Sequence, residues 1–91
     1  MDLEEIVLLK FHADWCNPCK ALMKNLVVVL SEDQFKHIKL QEINIDVDVE
    51  SSRNFKIRSI PTLVALKNNV EVSRTVGNQD INSLRDFLSN L

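Results

Sequence analysis

The chain has 91 residues, enough for one domain that buries roughly 60–65% of its unfolded surface. Its hydrophobic fraction of 45%, charged fraction of 26% and formal net charge of -2 are ordinary for a water-soluble globular protein. They give no electrostatic reason to expect nucleic acid or an acidic membrane as a partner. The longest apolar runs, Ile6 to Leu9 and Leu26 to Leu30, fall well short of the roughly 20 residues that span a bilayer. Asp2, Glu4 and Glu5 stand where a secretory signal would place basic residues, so a cytoplasmic location is expected.

Taken in chain order, Glu5 to Phe11 is a nearly continuous Val/Ile/Leu run, the pattern of a buried parallel strand. Cys19, Leu22, Met23, Leu26 and Leu30 then recur at spacings of three and four, which predicts a helix beginning at the cysteines. His37 to Val47 alternates and reads as a second strand. Glu50 to Phe55 is long enough for a short helix. Thr62 to Leu66 and Val70 to Val76 read as strands joined by a tight turn at Asn68-Asn69, because asparagine tolerates positive φ. Asp80 is placed to cap a last helix that buries Ile81, Leu84, Leu88 and Leu91. The order βαβαββα over a single domain, residues 1–91, predicts an α/β fold with a four-stranded mixed sheet flanked by helices.

Only two cysteines occur, Cys16 and Cys19, three positions apart, directly after the first strand and at the start of the helix. That spacing puts both sulfurs on one face within reach of a disulfide. Unpaired N–H groups and the positive end of the dipole at the helix start favour a thiolate there. Cys16, read as the more exposed, is the expected nucleophile, and Cys19 the thiol that resolves a mixed disulfide. Pro18 sits harmlessly in the first helical turn. Two blander readings stand beside this one. The pair could be half of a zinc site, with His12 and His37 as nominal partners, although their spacing suits no usual zinc motif. It could also be a structural disulfide, although so small a loop restrains an unfolded chain little.

With these residues assembled, the chain resembles the thioredoxin family along nearly its whole length. The resemblance is carried by Phe11-His12-Ala13-Asp14-Trp15-Cys16-Asn17-Pro18-Cys19-Lys20, by Asn44-Ile45-Asp46, by Ile57-Arg58-Ser59-Ile60-Pro61-Thr62 and by Val76-Gly77. It implies a thioredoxin-like protein-disulfide reductase that cycles Cys16 and Cys19 between dithiol and disulfide. It also implies a cis Ile60–Pro61 bond facing the cysteines, and a substrate surface made of Trp15, Asn17, Pro18, Ile60, Pro61, Val76 and Gly77. No metal or other cofactor is implied. The expected partners are disulfide-containing proteins and a donor resembling thioredoxin reductase, with the chain acting as a monomer. A glutaredoxin-like, glutathione-dependent oxidoreductase and a non-catalytic binding module of the same fold are the alternatives.

The chain also departs from the family pattern. Cys16 follows the first strand so closely that the family's N-terminal strand and helix have no counterpart, which implies a minimal core. Asn17 replaces the usual glycine between the cysteines, and Lys24 stands where the family helix carries a kinking proline. Six residues before the first cysteine the family has a buried aspartate that serves proton transfer, and its partner is a lysine; here those positions hold Lys10 and Glu42. The two charges are exchanged. Because an unpaired buried lysine is costly, a Lys10–Glu42 pair that tunes Cys19 is expected. The alternative is that Lys10 reaches the surface.

Overall fold

The computed structural model describes residues 4–91; Asp2, part of the acidic N-terminus noted above, lies outside them. Along the chain run β1 (Ile6–His12), α1 (Asn17–Leu30), a 3-10 turn (Asp33–Phe35), β2 (Lys39–Asn44), α2 (Val49–Asn54), β3 (Thr62–Lys67), β4 (Val70–Val76) and α3 (Ile81–Ser89). The sheet order is β2-β1-β3-β4. β1 pairs parallel with β2 and antiparallel with β3, and β3 pairs antiparallel with β4. The fold is therefore the expected α/β arrangement with a four-stranded mixed sheet.

Strand alternation divides the core between the two faces of this sheet. Ile6, Leu8, Leu63 and Ala65 meet Leu22, Leu26 and Val29 of α1 and Leu84 and Leu88 of α3 on one face. Leu9, Phe11, Ile43 and Val64 pack against Phe55, Ile57 and Ile60 on the other. A fully buried leucine of this kind contributes about 1.5–3 kcal/mol relative to exposure. Lys10 falls in the α1-facing set, in register between Glu42 of β2 and Leu63 of β3. The strand pattern thus delivers a charged side chain into an apolar layer.

The turns behave as their residues require. Asn68 and Asn69 have φ of 51° and 70°, the left-handed pair that matches hairpin twist. Asp80 accepts the Ser83 N–H at 2.8 Å and caps α3. Gly77 has φ of 91°, and a Cβ there would meet no atom within 4 Å. Glycine is needed at this position for its backbone conformation and not for space.

One expectation needs correction, and one element has no counterpart in the sequence reading. The strand read over His37 to Val47 is paired only from Lys39 to Asn44. Ile45 still donates to the His12 carbonyl, but Val47 and Asp48 both turn their N–H groups back onto the Asn44 carbonyl, which ends the ladder. The polar stretch after α1 holds a 3-10 turn with no local signal, made stable because Phe35 buries against the α1-side core. Among the described residues, no helix is long and apolar enough to cross a membrane.

Candidate active site

The site is built where β1 ends and α1 begins. After His12 the chain turns through Ala13, whose carbonyl accepts the Cys16 N–H at 3.1 Å. Cys16 is the N-cap of α1, in extended backbone geometry, and its Sγ accepts the Cys19 N–H at 3.2 Å. A free helix N–H is thus aimed at the first sulfur, the arrangement that favours a thiolate there. Cys16 and Cys19 form a disulfide, with Cα atoms 5.3 Å apart. Asn17 and Pro18 are exposed in the first turn.

Burial at the cysteines keeps the expected order but not an open first sulfur. Cys16 is 4% exposed and Cys19 1%, so the first is only marginally the more open of the two. Ala13 closes around the pair, and Ile45 and Ile60 pack against it. Pro61 is likewise fully buried, and so it adds no side-chain area to the surface where a substrate would lie. Its carbonyl accepts the Gly77 N–H at 2.8 Å, which brings Val76 and Gly77 beside the Ile60–Pro61 bond. That bond is cis, as the resemblance implies. Val76 is exposed, and Ile60 and Gly77 are half-buried.

Trp15 is 67% exposed, and its indole Nε1 donates to Asp46 Oδ2 at 2.8 Å. Asp46 is placed by its own backbone N–H, which donates to Asn44 Oδ1 at 2.9 Å. Beside the indole lies a cavity of about 360 Å³ lined by Trp15, Ile45, Ser52, Ile57, Arg58, Ser59 and Ile60. Ile45 and Arg58 were not singled out from sequence as site residues. Both stand inside the quoted family segments, but only the fold brings the turn after β2 and the loop before Pro61 together around one cavity.

A second cavity, of about 580 Å³, opens on the α1 side of the sheet, behind the disulfide. Lys10, His12, Cys19, Met23, Val27 and Glu42 are among its walls. Lys10 Nζ lies 3.4 Å from Glu42 Oε1; the lysine side chain is 4% exposed and the glutamate 47%. The expected pair is present, then, but only its cationic end is buried, and Lys10 does not reach the surface. His12 belongs to this cavity, whereas His37 lines a different one with Ile6, Phe35 and Leu88. The two histidines do not converge on the cysteines. Among the described residues, no group of three or more His, Cys, Asp or Glu side chains is arranged to hold a metal ion.

A sheet of this order, a disulfide capping a helix and a cis-proline beside it define a protein built for thiol–disulfide exchange. Comparison with known proteins agrees. The family model described as Thioredoxin matches residues 1–90. The thioredoxin of Chlamydia pneumoniae is 37% identical over 86 residues, covering 94% of this chain and 78% of that protein. The thioredoxin of Rickettsia prowazekii is 36% identical over 83 residues, covering 91% and 78%. Among solved structures, a mutant thioredoxin from Halobacterium salinarum NRC-1 superposes with a TM-score of 0.84 at 28% identity, covering 94% of this chain and 74% of that one. Trxlp from Edwardsiella tarda EIB202 gives 0.87 at 27%, covering 92% and 82%. The chain belongs to the thioredoxin family and is a thiol–disulfide oxidoreductase.

Proposed function

We propose that this chain is a protein-disulfide reductase of the cytoplasm, acting as a single-domain monomer and recharged by a donor of the thioredoxin-reductase kind. The observation that carries this reading is the pairing of a sulfur at a helix N-cap with a groove floored by Ile45 and Ile60 and walled by Trp15. Such a groove suits an extended peptide segment better than a small hydrophilic thiol. Trp15, Asn17, Pro18, Ile60, Val76 and Gly77 are its proposed contact residues, with Pro61 shaping the backbone beneath them.

The proposed cycle begins with the Cys16 thiolate attacking one sulfur of a substrate disulfide. A Cys16–substrate bond forms, the substrate disulfide breaks, and the first substrate thiol leaves with a proton. Cys19 loses its proton and attacks the Cys16 sulfur. The mixed disulfide breaks, the second substrate thiol departs, and the Cys16–Cys19 disulfide remains. Two electrons pass from the protein dithiol to the substrate, and the donor returns them. No cofactor is required in these steps.

The test is insulin-disulfide reduction driven by thioredoxin reductase, compared with turnover by glutathione and its reductase. Activity with the first and not the second is the expected result. The reverse pattern would indicate a glutaredoxin-like protein, and inactivity in both a binding module. Cys19→Ser is expected to accumulate a mixed disulfide with substrate, whereas Cys16→Ser forms none.

A further inference from the structure

The exchange steps leave one buried charge without a part. Lys10 is a buried cation on the α1 side of the sheet, and it shares the wall of the rear cavity with Cys19. We infer that Lys10 is a positioning residue for the second half-reaction. Its ammonium, tethered by Glu42, stabilises the Cys19 thiolate that resolves the mixed disulfide. The rear cavity lets that thiol's proton leave while substrate covers the front. This inference rests on the reductase reading above and extends it.

Three features support the assignment. First, the helix N-terminus serves the other sulfur: the Cys19 N–H is donated to Cys16 Sγ, so Cys19 needs a different source of positive potential. Second, Glu42 cannot cancel Lys10. At 3.4 Å the contact is longer than the 2.7–2.9 Å of a strong charge-assisted bond. The carboxylate is also half in water, where its field is screened, while the ammonium sits where fields carry further. Third, the remaining groups around the cavity do not reverse the sign. Lys20 and Lys24 of α1 add to the field of Lys10, Asp14 and Glu42 oppose it, His12 lies on the same strand, and β3 contributes the apolar Leu63. Three lysines thus face two carboxylates.

The measurement follows the thiolate absorbance of Cys19 in a Cys16→Ser protein, where it is the only thiol. An opposite charge nearby favours the ionised form by about one pH unit or more. Lys10→Met, close to lysine in volume, is therefore expected to raise the Cys19 midpoint by about one pH unit, with Lys10→Arg holding it near the parent value. Glu42→Gln is expected to lower the midpoint, because the cation then acts unopposed. In the dithiol protein at pH 7, Lys10→Met cuts the thiolate fraction about tenfold, partly offset by the greater nucleophilicity of a more basic thiolate. Resolution of a trapped mixed disulfide then slows about threefold. An unmoved Cys19 midpoint in Lys10→Met overturns the inference, even if the wild type reduces insulin. Failure of the wild type to reduce any protein disulfide overturns the reductase reading instead. Should Lys10→Met not fold, Lys10→Gln removes the same charge while keeping a polar side chain, and an unchanged midpoint there is equally fatal.

Discussion

Trp15 is the single tryptophan of the chain, so its environment reports cleanly on the front of the site. One hydrogen bond, Nε1 to Asp46 Oδ2 at 2.8 Å, fixes the indole that walls the substrate groove. Replacing Asp46 with alanine removes the acceptor and leaves the fold's core untouched, since Asp46 is exposed. Hydrogen bonds to charged groups contribute about 1.5–3 kcal/mol when shielded, and exposure of both partners here brings the figure to about 1 kcal/mol. At that value the ordered indole loses about fivefold in population. We expect kcat/KM for insulin reduction to fall by up to about fivefold, with higher KM and little change in thermal midpoint. Tryptophan anisotropy should fall in parallel, and Asp46→Asn, which keeps an oxygen acceptor, should lose less. The reasoning is refuted if Asp46→Ala leaves both anisotropy and kcat/KM unchanged. A loss above about a hundredfold, or nearly 3 kcal/mol, would also refute it, since one exposed hydrogen bond cannot supply that much.

Two further outcomes concern stability. Leu26→Ala empties a fully buried position between α1, the sheet and α3, and should cost about 3 kcal/mol, read as a lower urea midpoint at unchanged slope. The acid limb of stability should depend on Glu32, whose carboxyl is held below its ordinary value of 4.5 chiefly by the hydrogen bonds from Arg85. Because the folded-state value is the depressed one, this contribution is complete above the unfolded value and disappears as pH falls through the folded one. Glu32→Gln should therefore flatten the decline in thermal midpoint below about pH 4.5, and an identical acid limb would count against the pairing.

Much of the active site was legible in the sequence because it is local. Cys16 and Cys19 sit three residues apart at a strand-to-helix junction, and the hydrogen bond between them follows from that spacing alone. Asp80 caps α3 through Ser83, three residues on, and Asn68-Asn69 turn the β3–β4 hairpin through their own φ angles. Periodicity assigned the core-facing leucines Leu22, Leu26, Leu84 and Leu88 for the same reason: a helix repeats every 3.6 residues whatever it packs against.

What the sequence could not hold were quantities set by distant neighbours. Cys16 reads as an exposed nucleophile until Ile45 and Ile60, from two other segments, close over it. Pro61 reads as surface until it is seen buried beneath that surface. Phe35 joins the core only because α1 and α3 leave room for it. The exchange of charge between Lys10 and Glu42 could be noticed in the chain, yet its asymmetry could not. The parallel register of β1 and β2 sets the two residues side by side. Their places in the fold, Lys10 on a central strand and Glu42 on the strand at the sheet's edge, bury the cation and leave the carboxylate in water. Motif spacing determined which atoms react, and tertiary packing decided how much solvent and charge surround them.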